Sequence, residues 1–146
     1  MMTLLYNLVL YSDHSRREKS PLWVCIVLNV SYLVTSFLAL TSSVYLLWVI
    51  ADLVTIWVLF FSRPRHSPIP AMYYCVFALA VNALLHITIY IDLTVLDNLE
   101  PWWFWVVYPI GVNISDFIII LALVINRDFL GICALMRFNN LQTIKQ

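Results

Sequence analysis

Four long apolar stretches alternate with short polar segments along this chain. An α-helix rises about 1.5 Å per residue, so about 20 apolar residues cross a hydrocarbon core about 30 Å thick. The strands of membrane barrels alternate apolar and polar residues, whereas residues 117–125 are apolar without interruption. The pattern therefore predicts an all-α integral membrane four-helix bundle, with spans at about residues 21–40, 43–61, 70–91 and 102–125.

The segments between and beyond these spans are short. Only residues 41–43 join the first two spans, which forces them into an antiparallel helical hairpin. Prolines within residues 62–70 stop the second helix before the third begins. We expect a single membrane domain over residues 1–146, with tails at 1–20 and 126–146 that are each compatible with a short interfacial helix. The first span is expected to be retained rather than cleaved, because another membrane-length segment follows at once.

The basic residues all lie on one side of this four-span arrangement. Basic flanks stay on the cytoplasmic side during insertion, so both termini are expected to be cytoplasmic. The loop on the other side, residues 92–101, carries only acidic charges. The compactness of the chain favours a bacterial inner (plasma) membrane. The basic residues are Arg16, Arg17 and Lys19 before the first span, Arg63 and Arg65 between the second and third, and Arg127, Arg137 and Lys145 after the fourth.

The composition excludes a soluble domain of this length. Hydrophobic residues make up 63% of the chain and charged residues 11%, whereas globular domains are about half apolar and about a quarter charged. Cys25, Cys75 and Cys133 form no CxxC motif and map to the reducing side, so we expect packing residues rather than a disulfide. With only 2 glycines in the chain, close helix contacts should rely on small residues such as Ala71, Cys75 and Ala78.

No pattern in the sequence indicates a particular reaction. HExxH, Walker and GxSxG motifs are absent. His86 is the only histidine within a span, which excludes a haem held between two membrane histidines of one chain. We therefore expect no enzyme activity, cofactor, metal or nucleic-acid partner. The expected partners are the lipid bilayer and either a second copy of the chain or a larger membrane protein, because so small a bundle has little perimeter with which to enclose a pathway.

Every predicted span carries a polar residue close to its midpoint. Asp and Asn residues fall within about three residues of the bilayer centre, a slab only a few ångströms thick on either side at about 1.5 Å per residue. An Asp at a helix centre costs about 2.5–3.5 kcal/mol to insert, and lipid cannot solvate it, so these side chains should face the bundle interior. The set is Asn29, Asp52, Asn82, Asn113 and Asp116, with His86 one turn farther out on the third helix.

Two hypotheses account for these polar residues. In the first, hydrogen bonds among them hold the bundle together in a non-enzymatic accessory or interaction subunit, as is common in membrane interfaces. In the second, which is the alternative, they form a proton or cation site in a small proton- or cation-linked transporter. Asp52 and Asp116 would then exchange protons, the three Asn side chains would orient them, and His86 would relay protons toward the outer face.

Overall fold

The protein is described here by a computed structural model that covers residues 2–12, 21–37, 44–61 and 69–128. Within these ranges every regular element is helical and there is no strand. The helices, numbered in chain order, are α1 (Met2–Ser12), α2 (Leu22–Ser36), α3 (Val44–Phe61), α4 (Pro70–Tyr90) and α5 (Trp103–Ile125), with a π-helical turn at Ile91–Val95 directly after α4.

Three segments of this bundle are long and apolar enough to cross a membrane: Val44–Phe61, Pro70–Val95 and Trp103–Ile125. They coincide with the second, third and fourth predicted spans, apart from the π-helical turn that extends the third. The all-helical prediction is thus confirmed for the described residues, and the length and composition of these three helices support a membrane protein.

The first predicted span is represented by a shorter helix. The 15 residues of α2 correspond to a length of about 22 Å, less than the hydrocarbon thickness. The predicted span continued to residue 40, and residues 38–43 lie outside the described part of the chain, as does the predicted connection at 41–43. The proline-rich turn before Ile69 and the tail from residue 129 onward, which includes Cys133, also lie outside it.

Helix α4 lies at the centre of the bundle. It packs against both α3 and α5, while α2 packs against α3, and α1 packs against α2 and α5. Ala71, Cys75 and Ala78 on α4 are all buried, as predicted for small residues at the contacts between helices. Close approach also explains one of the glycines, because a Cβ atom on Gly111 of α5 would lie 2.8 Å from Cδ1 of Leu85 on α4.

A buried amide fixes α1 to the rest of the bundle. Asn7 is fully buried, and its Nδ2 lies within hydrogen-bond distance of the carbonyl oxygens of Thr3 (2.9 Å) and Leu123 (3.1 Å) and of the Cys25 sulfur (3.3 Å). Leu123 is in the last turn of α5, where carbonyl groups have no partner within the helix. The side chain of Asn7 therefore caps the C-terminus of α5 from a different helix.

The opposite end of the α4–α5 hairpin is organised by a buried carboxylate. Asp92, in the π-helical turn, accepts hydrogen bonds at Oδ2 from the indole N–H groups of Trp102 (3.0 Å) and Trp105 (2.8 Å). Its Oδ1 accepts a third hydrogen bond from Nδ2 of Asn98 (3.1 Å). Tryptophans near a helix end are typical of an interfacial aromatic belt. The N–H groups of these two also tie the start of α5 to the end of α4.

Replacing Asn7 with Ala should lower the free energy of unfolding by about 1–2 kcal/mol, because a buried carbonyl of α5 loses its donor. Asn29→Ala is a matched control, since Asn29 Nδ2 donates to the Cys25 carbonyl within its own helix (2.8 Å). Unfolding of the purified protein in mixed micelles, followed by tryptophan fluorescence, measures both variants. An equal loss in the two would show that Asn7 has no special role in joining α1 to the bundle.

Asp92→Ala should lower the free energy of unfolding more than Asn7→Ala does, because hydrogen bonds to a charged group are the stronger class. Glu100→Ala serves as the control, since Glu100 is exposed in the same loop. The same unfolding titration provides the measurement. If Asp92→Ala is no less stable than Glu100→Ala, the indole–carboxylate contacts do not hold the hairpin together.

Candidate functional site

A cavity of about 300 Å³ lies between α2, α3, α4 and α5. Its lining comes from the C-terminal half of α2, the N-terminal half of α3, the middle and C-terminal half of α4 and the middle of α5, which places it between the middle of the bundle and the end predicted to face outward. The side chains that matter for its chemistry are Tyr32, Trp48, Asp52, Asn82, His86 and Asp116.

Four of the six predicted site residues meet at this cavity. Asp52, Asn82, His86 and Asp116 all line it, although they come from three different helices. Asn82 and His86 are four residues apart on α4 and therefore share a face. Asn82 is buried, with 3% of its surface exposed.

The other two predicted site residues do not line the cavity. Asn29 bonds to a carbonyl of its own helix, as described above. Asn113 is exposed, and its Nδ2 donates to the Pro109 carbonyl, also within its own helix (2.7 Å). Neither Asn side chain makes a hydrogen bond across helices to a described residue. Their polar groups are instead satisfied locally by backbone carbonyls, in the manner that Asn side chains use inside helices.

Asp116 is held by donors from two other helices. Its Oδ1 accepts a hydrogen bond of 2.6 Å from the Tyr32 hydroxyl on α2 and one of 3.2 Å from Asn82 Nδ2 on α4. A single carboxyl oxygen thus joins α2, α4 and α5. This arrangement fixes the position of Asp116 and orients the amide of Asn82.

Asp52 lies in a different environment. Its Oδ2 is 3.8 Å from His86 Nε2, which is too far for a hydrogen bond. Among the residues the structure describes, nothing donates a hydrogen bond to Asp52 Oδ2 or to Asn82 Oδ1, although both atoms are buried. Buried polar atoms are nearly always paired, so two unpaired oxygens at one cavity require an explanation. Both can accept a hydrogen bond or contact a cation.

His86 connects Asp52 to an aromatic cluster farther along the bundle. Its Nδ1 lies 2.8 Å from the Tyr108 hydroxyl, so one of these groups donates to the other. The imidazole also packs against Trp48, with ring centroids 5.2 Å apart, and Tyr108 packs edge-on against Tyr45. The path from Asp52 through His86 to Tyr108 runs toward the end of the bundle predicted to face outward.

The cavity has acidic but no Lys or Arg side chains in its described lining. Both carboxyl groups, those of Asp52 and Asp116, line it. Within the described ranges, no group of three or more His, Cys, Asp and Glu side chains is arranged to hold a metal ion. The arrangement therefore suits a proton or a cation that needs carboxylate and aromatic contacts rather than a full set of metal ligands.

Three aromatic residues at the site were not predicted from the sequence, namely Tyr32, Trp48 and Tyr108. Tyr32 is three residues from Asn29 and Tyr108 is eight residues from Asp116. Only the rotation of each helix about its axis decides whether such neighbours face the interior.

Comparison with known protein families, with curated proteins and with solved structures finds no match for this chain.

Tyr32→Phe should lower the free energy of unfolding by about 0.6–2 kcal/mol, the range for an interhelical hydrogen bond in a membrane protein. In an Asp116→Asn background the same change should cost less, because the amide is a weaker acceptor than the carboxyl group. Tyr90→Phe is the matched control, since no described residue bonds to the Tyr90 hydroxyl. A double-mutant cycle measures the coupling, and a coupling energy of zero would contradict the Tyr32–Asp116 contact.

Proposed function

We propose that this protein is a small multi-pass membrane transporter that exchanges protons for a cation at Asp52 and Asp116. The observation that carries the proposal is the buried, unpaired carboxyl oxygen of Asp52, which faces the same cavity as Asp116. Ionisable groups inside membrane bundles are costly and commonly mark ion and proton pathways. Two such groups at one cavity, with no basic residue in its described lining, favour a cationic substrate.

A purely structural role accounts for these residues less well. Polar residues that hold helices together pair with one another across the interface, as Tyr32, Asn82 and Asp116 do. Asp52 Oδ2 has no such partner among the described residues, and Asn29 bonds to its own backbone. An unpaired buried acceptor costs about 1–3 kcal/mol. That cost is consistent with a site that binds a proton or cation during part of a transport cycle.

The cavity residues take different parts in this mechanism. Asp52 binds the incoming proton or cation, because its side chain lines the cavity and no described residue donates a hydrogen bond to its Oδ2. Asp116 provides the second acid, positioned by the Tyr32 hydroxyl and the Asn82 amide. His86 and Tyr108 offer a route for protons between Asp52 and the outer end, because both can donate and accept hydrogen bonds.

The proposed topology has four spans, with α2 as the first and both termini in the cytoplasm of a bacterial inner membrane. Its support is the distribution of basic residues, all of which fall on one side of the four spans. We also propose that the transporter acts as an oligomer of this chain or together with a larger membrane protein, since four short helices enclose little space on their own.

A second candidate function is that of a non-enzymatic accessory subunit in a larger membrane assembly. The observation that favours it is the hydrogen-bonded set Tyr32, Asp116 and Asn82, which joins three helices and needs no transported ion. In that case Asp52 contributes to the cavity without exchanging protons, and an Asn at either Asp position leaves the protein competent to bind its partner.

Proteoliposomes that contain the purified full chain and a trapped pH dye test the proposed transport. Gradients of Na⁺, K⁺ or an organic ammonium ion are imposed in turn, with the membrane potential clamped. We expect at least one cation to drive a pH change in wild type, and Asp52→Asn and Asp116→Asn to abolish it. The substitution preserves side-chain shape but removes the titratable group.

The control is Asp97→Asn, which changes an exposed carboxyl group of the outer loop and should leave the pH change intact. All variants are first checked for folding by gel filtration and circular dichroism. A wild-type protein that moves protons with none of the cations would favour the accessory function. Proton movement that persists in both folded cavity variants would exclude Asp52 and Asp116 as the exchange site.

A further inference from the structure

The cavity is larger than a proton or a bare metal ion requires. Its volume of about 300 Å³ is at the lower end of the range for small-molecule sites, about 300–1,000 Å³. Leu79 and Val112 supply apolar wall between the polar groups. The dimensions therefore suit a compact organic molecule.

Each carboxyl group of the cavity is paired with an aromatic ring. Trp48 and Asp52 are four residues apart on α3, so they lie on the same helix face and both line the cavity. Tyr32 donates its hydroxyl to Asp116 across the α2–α5 interface. An aromatic face attracts a cation through its quadrupole, and this attraction strengthens where water is excluded.

The same features disfavour the simpler cations. The described residues offer no cluster of three or more metal-ligating side chains, as a divalent metal requires. Aromatic rings and apolar walls cannot replace the water shell of Na⁺ or Mg²⁺ in the way that oxygen ligands do. An ammonium group with an attached apolar body uses all three components, namely the carboxylates, the rings and the aliphatic wall.

We propose that the cavity binds an organic cation with an apolar body, either a quaternary ammonium ion or a hydrophobic protonated amine. The cationic head lies between Asp52 and Asp116, against the indole of Trp48. The apolar body lies against Leu79 and Val112. This assignment rests on the proposed function in one respect, which is that the bound cation is the one exchanged for protons.

Equilibrium binding of radiolabelled benzyltrimethylammonium to the purified full chain in detergent tests the assignment without requiring transport. We expect saturable binding to wild type, above the level in protein-free micelles. The uncharged carbon analogue of the same shape, neopentylbenzene, should not displace it, and excess Na⁺ should not displace it either. Failure of the folded wild type to bind, or displacement by either competitor, overturns the proposal.

Variants locate the binding within the cavity. Asp52→Asn, Asp116→Asn and Trp48→Leu should each weaken binding by at least about tenfold. Trp48→Phe keeps an aromatic face and should retain weaker but saturable binding, which keeps the test decisive if Trp48→Leu fails to fold. The matched controls are Asp97→Asn and Trp57→Leu, because Trp57 is on the same helix and 60% exposed. Wild-type affinity in folded Asp52→Asn would overturn the proposal. Wild-type affinity in both folded Trp48 variants, Trp48→Phe and Trp48→Leu, would also overturn it.

The binding experiment tests the ligand class and the liposome experiment tests transport, so either one can fail while the other succeeds. Binding of benzyltrimethylammonium without any proton movement would support the ligand class and contradict transport. Proton movement driven by Na⁺ or K⁺, in a protein that does not bind benzyltrimethylammonium, would support transport and overturn the organic cation.

Discussion

Hydrocarbon offers no hydrogen bonds, and the arrangement of this protein depends on how its polar groups are satisfied without water. Most of them are satisfied by the helix backbone. Polar groups that the helix backbone does not satisfy need side-chain partners. Asn7 donates to a carbonyl in the last turn of α5, and Asp92 accepts hydrogen bonds from the indole N–H groups of two tryptophans at the start of α5. Side chains from other parts of the chain thus hold both ends of α5 in place.

The middle of the bundle follows the same constraint with a different outcome. Tyr32 and Asn82 satisfy one oxygen of Asp116, whereas Asp52 is left with a buried oxygen that no described residue satisfies. The ends of the hairpin are held by paired polar groups, and the proposed cation site rests on the buried acceptor that remains at the centre.

The sequence was informative about helix bounds and uninformative about rotation. The apolar stretches are long enough to match a bilayer, so the bounds of α3, α4 and α5 could be predicted from them. Asn113 and Asp116 are three residues apart and were expected to share a face. In the structure only Asp116 faces the cavity, because three residues along a helix leave about 60° between side chains.

Other features depended on contacts between distant parts of the chain. Asn7 is in an apolar segment too short to span, and nothing local indicates that it reaches Leu123, more than a hundred residues away. The pairing of Trp48 with His86 and of Trp102 with Asp92 likewise requires the packed helices. Tryptophans are common at membrane interfaces because their rings are amphipathic. That general tendency does not predict these specific contacts.

The uneven packing of the bundle has an electrical consequence. The end where α1 packs is filled by fully buried side chains such as Val24, Tyr74 and Cys75, whereas the polar cavity beyond it is large enough to hold water. A membrane voltage falls mainly across the dry, low-dielectric part of a protein. In the proposed transport an ion passes between the cavity and the α1 end and crosses this closely packed part. Moving one elementary charge across the whole membrane potential costs about 2.3 kcal/mol for each 100 mV.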